Sequence, residues 1–278
     1  MGDADAAGPR AGAQPETRGK VHMPLVHDLK LTAMRVLEKA PDAIGSVSSV
    51  RTAEPVIIPT FDDGPTPGRT PEVLRALADH DATATFFVLM TSVRANRGLL
   101  EEVVAAGHEI GLHGMDHRHL PTLSRAEARE MLTRGKAELE DALGMPVLWF
   151  RPPHGDQSVE TWRLIREAGM TSVIWSGTSH DWNPEATQDQ RVEKATANLE
   201  RGTILLFHDG HAGPADLGDP VPEPVLDRYE LLDRVLRVAE ERGLQATSLS
   251  RALERGTAVT RPHFNLHPRH LATAIRRR

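Results

Sequence analysis

From residue 55 onward the chain alternates short apolar, often β-branched runs with longer amphipathic stretches, and this alternation constrains the fold more than any other feature. Strand-like runs occupy 56–62, 83–89, 109–113, 147–151, 172–176, 203–208 and, more weakly, 246–249. Helical patterns lie between them, over 70–79, 92–106, 124–143, 158–168, 188–201 and 225–242. Several open on Ser or Thr and close near a glycine, at Gly107, Gly144, Gly169, Gly202 and Gly243, and Ser124 with Glu127 has capping-box spacing. Repeated strand–helix alternation builds right-handed βαβ units on a parallel sheet. Six to seven such units predict an α/β barrel, closed or nearly closed, with functional groups at the C-terminal ends of its strands.

The flanks read differently. Residues 1–20 are rich in Ala, Gly and Pro and are expected to be a disordered leader. Residues 21–54 are expected to be a helical extension: 27–39 place Leu29, Ala33, Val36 and Leu37 on one side, a face suited to packing on the barrel. Peripheral membrane contact through its basic flank is the minor reading. The barrel is expected to span 55–255, and 256–278, ending Arg276-Arg277-Arg278, to be a solvated basic tail.

Composition excludes whole classes of chemistry. A formal charge of −6 argues against a general nucleic-acid binder, which needs dense Lys and Arg to neutralise phosphates. Cysteine is absent, which removes disulfides and thiolate catalysis and leaves Asp, Glu and His as the common strong metal ligands. No run of 18 apolar residues is present, so no transmembrane helix is expected. The N-terminus lacks the basic start and apolar core of a secretory signal, so a cytoplasmic protein is expected.

Ionisable residues collect where the strands end. The first strand runs into Asp62-Asp63-Gly64-Pro65. Alone, Asp-Asp-Gly reads as a surface turn, where Asp is common. At the end of a buried strand, two adjacent carboxylates oppose each other's ionisation, and a cation would offset that cost. His113 and His117, four apart after the third strand, could present two imidazoles to one ion in a helical turn; with 14 His in the chain a chance pair is the competing reading. Gly114 stands where a zincin has its glutamate, so that motif is excluded. One carboxylate and two imidazoles leave a coordination position open for water, as catalytic metal sites do. Arg151 in Phe150-Arg151-Pro152-Pro153-His154-Gly155 could hold a carboxylate ionised; His180-Asp181-Trp182 and Leu206-Phe207-His208-Asp209 end two further strands. The Gly/Pro-rich stretch 211–224 reads as a flexible rim loop shaping access.

In this order, with Thr60-Phe61-Asp62-Asp63-Gly64-Pro65 as the most specific signature, residues 55–250 resemble the polysaccharide deacetylase family, carbohydrate esterase family 4 with its NodB-homology domain. The resemblance implies a distorted (β/α) barrel of about seven strands forming a single catalytic domain, and metal-assisted hydrolysis of N-acetyl groups on amino sugars. It implies that Asp63, His113 and His117 ligate one divalent ion, with Zn²⁺ suiting the donor set best and Co²⁺, Ni²⁺, Mn²⁺ or Fe²⁺ compatible. It implies that Asp62 is the general base, Arg151 its orienting partner, His208 the general acid and Asp181 the acid's charge partner. Trp182 and Leu206 resemble the wall around the acetyl methyl, and the His154 backbone N–H the oxyanion donor. Gly114 replaces the family's usual Ser or Thr, His154 replaces an aromatic, and Thr178-Ser179-His180 lacks an earlier Asp. The substrate-facing groups therefore differ, and an acetylated small or lipid-linked amino sugar is expected rather than a long chitin-like polymer. A relative hydrolysing another C–N bond, such as a cyclic amide, and a non-catalytic carbohydrate-binding barrel are the alternatives.

Overall fold

A computed structural model describes residues 44–218 and 222–265. The expected leader, the 27–39 helix and the arginine-rich end lie outside the described residues. Seven strands form one continuous parallel sheet curled into a half-barrel, in the order β6-β5-β4-β3-β2-β8-β7. They are β2 (Val56–Asp62), β3 (Thr85–Leu89), β4 (Glu109–Gly114), β5 (Trp149–Phe150), β6 (Thr171–Ser172), β7 (Gly177–Thr178) and β8 (Ile204–His208). A further short strand, β9 (Gln245–Ala246), pairs with the first two residues of β2, whereas β3 pairs with its last three. The single strand expected over 172–176 is thus two short ones at opposite ends of the sheet, and the barrel does not close by strand pairing there.

A segment outside the expected barrel spans that opening. Ser46–Thr52 forms β1, a strand where a helical extension was expected, and Gly256–Arg261 forms β10, a strand where a basic tail was expected. The two pair antiparallel. β1 also bridges the split: Ile174 N–H donates to the Val47 carbonyl at 2.8 Å, and Val50 N–H donates to the Gly202 carbonyl at 2.9 Å. Period-2 alternation announced neither strand, because β1 reads Ser-Val-Ser-Ser-Val-Arg-Thr and β10 leaves most of its side chains partly exposed.

The helices are α1 (Thr70–Asp79), α2 (Met90–Ala95), α3 (Arg97–Ala105), α4 (Arg125–Leu143), α5 (Val159–Glu167), α6 (Gln188–Thr196), α7 (Arg228–Glu241) and α8 (Leu249–Glu254). The capping box at Ser124 is formed, and Gly144 ends α4 in the left-handed conformation. The stretch expected as one helix over 92–106 breaks at Asn96, whose backbone leaves the helical region. Its side-chain amide donates instead to the carbonyls of Pro65 and Ser92 at 3.1 Å each, tying the break to the loop after β2.

Alternation along the strands sorts two cores. Ile57 and Phe61, Phe86 and Val88, Ile110 and Leu112, and Leu205 and Phe207 face the helices in the larger cluster. Ile58, Phe87 and Ile204 join Val47, Val50, Val173, Leu249 and Ala252 inside the curl. Since side chains alternate along a strand, Asp62 shares a face with Ile58, and His208 shares a face with Ile204. Strand parity therefore aims both ionisable groups at the interior, at the C-terminal rim.

Candidate active site

The left-handed backbone of Asp63, φ 75°, decides the geometry. The break in β2 falls on Asp63 itself, one residue ahead of Gly64-Pro65. The turn carries the Asp63 side chain off the strand's alternation and onto the side that Asp62 faces. Ser92 Oγ donates to the Asp63 carbonyl at 2.9 Å, and Leu89 N–H donates to the Gly64 carbonyl at 3.1 Å. Gly64 is packed so closely that a Cβ there would overlap the carboxylate of Asp209.

His113 is the fifth residue of β4, and His117 lies in the irregular segment that follows, so the pair is not on a helical turn. Gly114 takes φ 131°, and a Cβ there would stand 2.8 Å from the Asp116 carbonyl. Glycine at this position, the departure noted in the sequence, is what the bend requires. It brings Nε2 of both imidazoles to 3.4 Å from Asp63 Oδ1. His113 Nδ1 lies 2.8 Å from the Arg151 carbonyl, which accepts its proton and leaves Nε2 as a lone pair facing inward.

These residues fit a divalent ion. Their three donor atoms lie within 4.8 Å of one another, and Asp63 Oδ1 is buried with no hydrogen-bond partner. A buried carboxylate oxygen is costly without a donor or cation. Burial works against ionisation of Asp63, but His117, His208 and His113 outweigh it and hold the carboxyl below its ordinary range. Burial pushes His113 well below the usual histidine value, and His117 is lowered for the same first reason, against the pull of Asp63 on both. Deprotonated carboxylate and neutral imidazole are the forms that bind metal.

Asp62 is arranged for another task. Arg151, fully buried, donates from Nη1 to Asp62 Oδ1 and to Thr60 Oγ1, both at 2.8 Å. Its guanidinium stacks 4.1 Å over the Phe87 ring. The other oxygen, Asp62 Oδ2, is 3.8 Å from His113 Nε2. Burial raises Asp62 to about 6, against the pull of Arg151 and His208. Across the cavity, His208 Nδ1 lies 2.8 Å from Asp181 Oδ1, and Asp181 Oδ2 accepts the His208 backbone N–H at 2.7 Å. Burial alone would lower His208, but the carboxylates of Asp181, Asp63 and Asp62 prevail and raise it to about 9.

A cavity of about 330 Å³ joins these groups, and its lining includes nine of the ten residues singled out in the sequence; the tenth, Arg151, lies behind Asp62. Leu206 is buried in the wall, and Trp182 is half exposed at the mouth. The His154 ring stacks on His119 at 3.8 Å between centroids, and its Nε2 lies 3.1 Å from the His117 carbonyl, so its side chain supports the loop that carries His117. The rim loop is anchored as well: His117 N–H donates to the Asp216 carbonyl at 2.7 Å, and Ala212 N–H donates to Asp63 Oδ2 at 3.3 Å.

Sequence reasoning missed Arg228 and Trp175, which also line the cavity, placed His211 there only as part of the rim loop, and gave Asp209 no role. Asp209 is buried behind Gly64, with Thr70 Oγ1 donating to its Oδ2 at 2.6 Å. His208-Asp209 adjacency was visible, but no spacing rule links Arg228 to the strand ends.

The family model described as Polysaccharide deacetylase matches residues 49–173. A peptidoglycan-N-acetylglucosamine deacetylase of Bacillus cereus is 36% identical over 179 residues, covering 63% of this chain and 83% of the relative. A chitooligosaccharide deacetylase of Sinorhizobium fredii is 32% identical over 212 residues, 76% of this chain and 98% of the relative. The chain belongs to the polysaccharide deacetylase family. Among solved structures, a mutant of a Bacillus anthracis carbohydrate esterase family 4 pseudoenzyme with restored activity superposes with a TM-score of 0.66. It is 25% identical and covers 78% of this chain and 73% of that one. The polysaccharide deacetylase fold thus occurs with and without turnover, and activity has to be argued from the site.

Proposed function

We propose that this polysaccharide deacetylase family member is a metal-dependent hydrolase that removes an N-acetyl group from an amino-sugar glycan. The observation that carries the reading is a base and an acid, Asp62 and His208, facing one cavity on either side of a metal-fitting triad. Its relatives' activities on peptidoglycan and chitooligosaccharides supply the substrate class. A non-catalytic binder has no use for a buried base with its own guanidinium partner.

Asp63, His113 and His117 would hold the divalent ion, and Zn²⁺ suits this donor set, with Co²⁺, Ni²⁺, Mn²⁺ and Fe²⁺ accepted by similar ligands. When bound, such an ion supplies Lewis-acid polarisation of the amide carbonyl and lowers the pKa of water beside it. Arg151 occupies Asp62 Oδ1, which leaves Oδ2 to take a proton from the attacking water. Water oxygen bonds to the carbonyl carbon, and His208 delivers its Nε2 proton to the amide nitrogen as the C–N bond breaks. Acetate and a free amine result. Protonation is required because an unprotonated amide nitrogen is a poor leaving group. Asp181 keeps His208 charged and fixes its ring through Nδ1. Leu206 and Trp182 flank the cavity as the apolar surface for the acetyl methyl.

The test is acetate release from N-acetylglucosamine oligomers, with and without a chelator. Release that a chelator abolishes and added Zn²⁺ restores is the expected result. Chelator-insensitive release would overturn the metal role, and no release from the metal-loaded protein would overturn the deacetylase reading.

A further inference from the structure

Past β10 the chain turns onto the loop that follows β5. In that loop His154 and Gly155 take φ of 59° and 63° in succession, and both border the cavity. A left-handed backbone is unfavourable for a residue with a side chain and persists where the surroundings hold it. Part of that hold comes from residues more than a hundred positions away. His263 Nε2 donates to the Gly155 carbonyl at 3.0 Å, and Gln157 Nε2 donates to the His263 carbonyl at 2.8 Å. Asn265 N–H donates to the Gln157 carbonyl, and its side-chain amide donates to Asp156 Oδ1, both at 2.8 Å. Between them Phe264 meets Trp162 of α5 edge to face, with ring centroids 6.0 Å apart.

The residues so gripped are themselves fastened to the interior. Gln157 is fully buried; its Oε1 accepts from Ser172 Oγ at 2.9 Å, and its Nε2 also donates to Ser46 Oγ of β1 at 2.5 Å. Asp156 Oδ2 lies 2.9 Å from His119 Nδ1, which joins the tail to the segment carrying His117. Gly155 has no room to retreat, since a Cβ there would stand 2.8 Å from Trp175 of the cavity wall. We infer that Pro262–Asn265 is a strap that fixes the 153–157 loop, and that His263 and Asn265 are positioning residues for the reaction. The inference rests on the deacetylase reading above. With the His154 N–H taken as the oxyanion donor, a shift of this loop costs transition-state stabilisation more than substrate binding. Part of a segment that reads in the sequence as a solvated tail is thereby built into the site.

The test combines His263→Ala with Asn265→Ala in the metal-loaded full chain, beside each single variant and His263→Gln, whose side-chain amide can replace the ring donor. Two readouts are taken: steady-state kinetics on N-acetylglucosamine oligomers, and amide hydrogen exchange across residues 152–158. In the double variant, exchange in that stretch should be on the order of tenfold faster, with the central strands unchanged. Its kcat should fall on the order of tenfold, with KM and metal content near wild type. His263→Gln should keep both readouts closer to wild type than His263→Ala does. Where the double variant melts too low to compare, His263→Ala alone decides. Unchanged exchange would overturn the strap. Faster exchange with a wild-type kcat, or a loss carried wholly by KM, would overturn the positioning role. Absence of acetate release from the wild type would instead fail the deacetylase reading, and exchange would still decide whether the strap holds the loop.

Discussion

Asp62 and Asp63, adjacent in the chain, both face Nε2 of His113, at 3.8 and 3.4 Å. On an unbroken strand they would point to opposite sides. The left-handed turn at Asp63 places them together, and their partners then separate their roles: a guanidinium for Asp62, two imidazoles for Asp63.

Removing the charge of Asp62 without changing its shape isolates that division. Asp62→Asn should keep the metal at wild-type stoichiometry and lower kcat by about 10²–10⁴-fold, the usual scale for general acid–base catalysis. Metal content and steady-state kinetics on one preparation check it; turnover near the wild-type rate would rule Asp62 out as the base.

Loss of the His113 imidazole should have the opposite signature. His113→Ala should weaken metal binding by more than about a hundredfold, beyond the usual cost of losing a supporting group. Elemental analysis after dialysis reads the outcome, and full retention of metal would exclude His113 from the site.

The charge on His208 depends on Asp181. His208 is raised to about 9 from an ordinary 6.5, so it is protonated through neutral pH. The His208–Asp181 interaction therefore contributes fully to stability below pH 6.5 and is lost as pH rises through about 9. The upper limb of kcat/KM against pH should fall at about 9 in the wild type. Asp181→Asn removes the anion that outweighs burial, and should move that limb to lower pH. An upper limb unmoved in this variant would assign it to another group.

Close packing behind the turn makes Gly64 intolerant of a side chain. Gly64→Ala would push a methyl into the Asp209 carboxylate, for which overpacking costs of about 1–3 kcal/mol are typical. A lowered Tm together with weakened metal binding is expected, because the same turn positions Asp63. Wild-type stability and affinity would mean that the turn can yield.

Much of the barrel could be read from the chain because its signals are local. β2 and α1 fall where periodicity put them, and α4 begins at its capping box and ends before Gly144. The helix expected over 92–106 breaks at Asn96, where a side-chain amide finds partners in the Pro65 loop that no local pattern announces. β1 and β10 lack an alternating apolar pattern, since their pairing, 203 or more residues apart where the side chain of Thr52 bonds the Arg255 carbonyl, is set by the opening they cover.

By itself the sequence determined which side chains are available for chemistry and, through strand parity, which faces Asp62, His113 and His208 occupy. Parity is a property of successive residues and needs no partner. Only the tertiary structure decided that strand ends at residues 62, 113 and 208 meet around one cavity with Arg151 behind Asp62, that Asp63 leaves the strand geometry, and that Arg228 comes to rest beside His208. Those outcomes depend on how the sheet curls and how loops pack against it, and such contacts join residues whose separation along the chain carries no period to read.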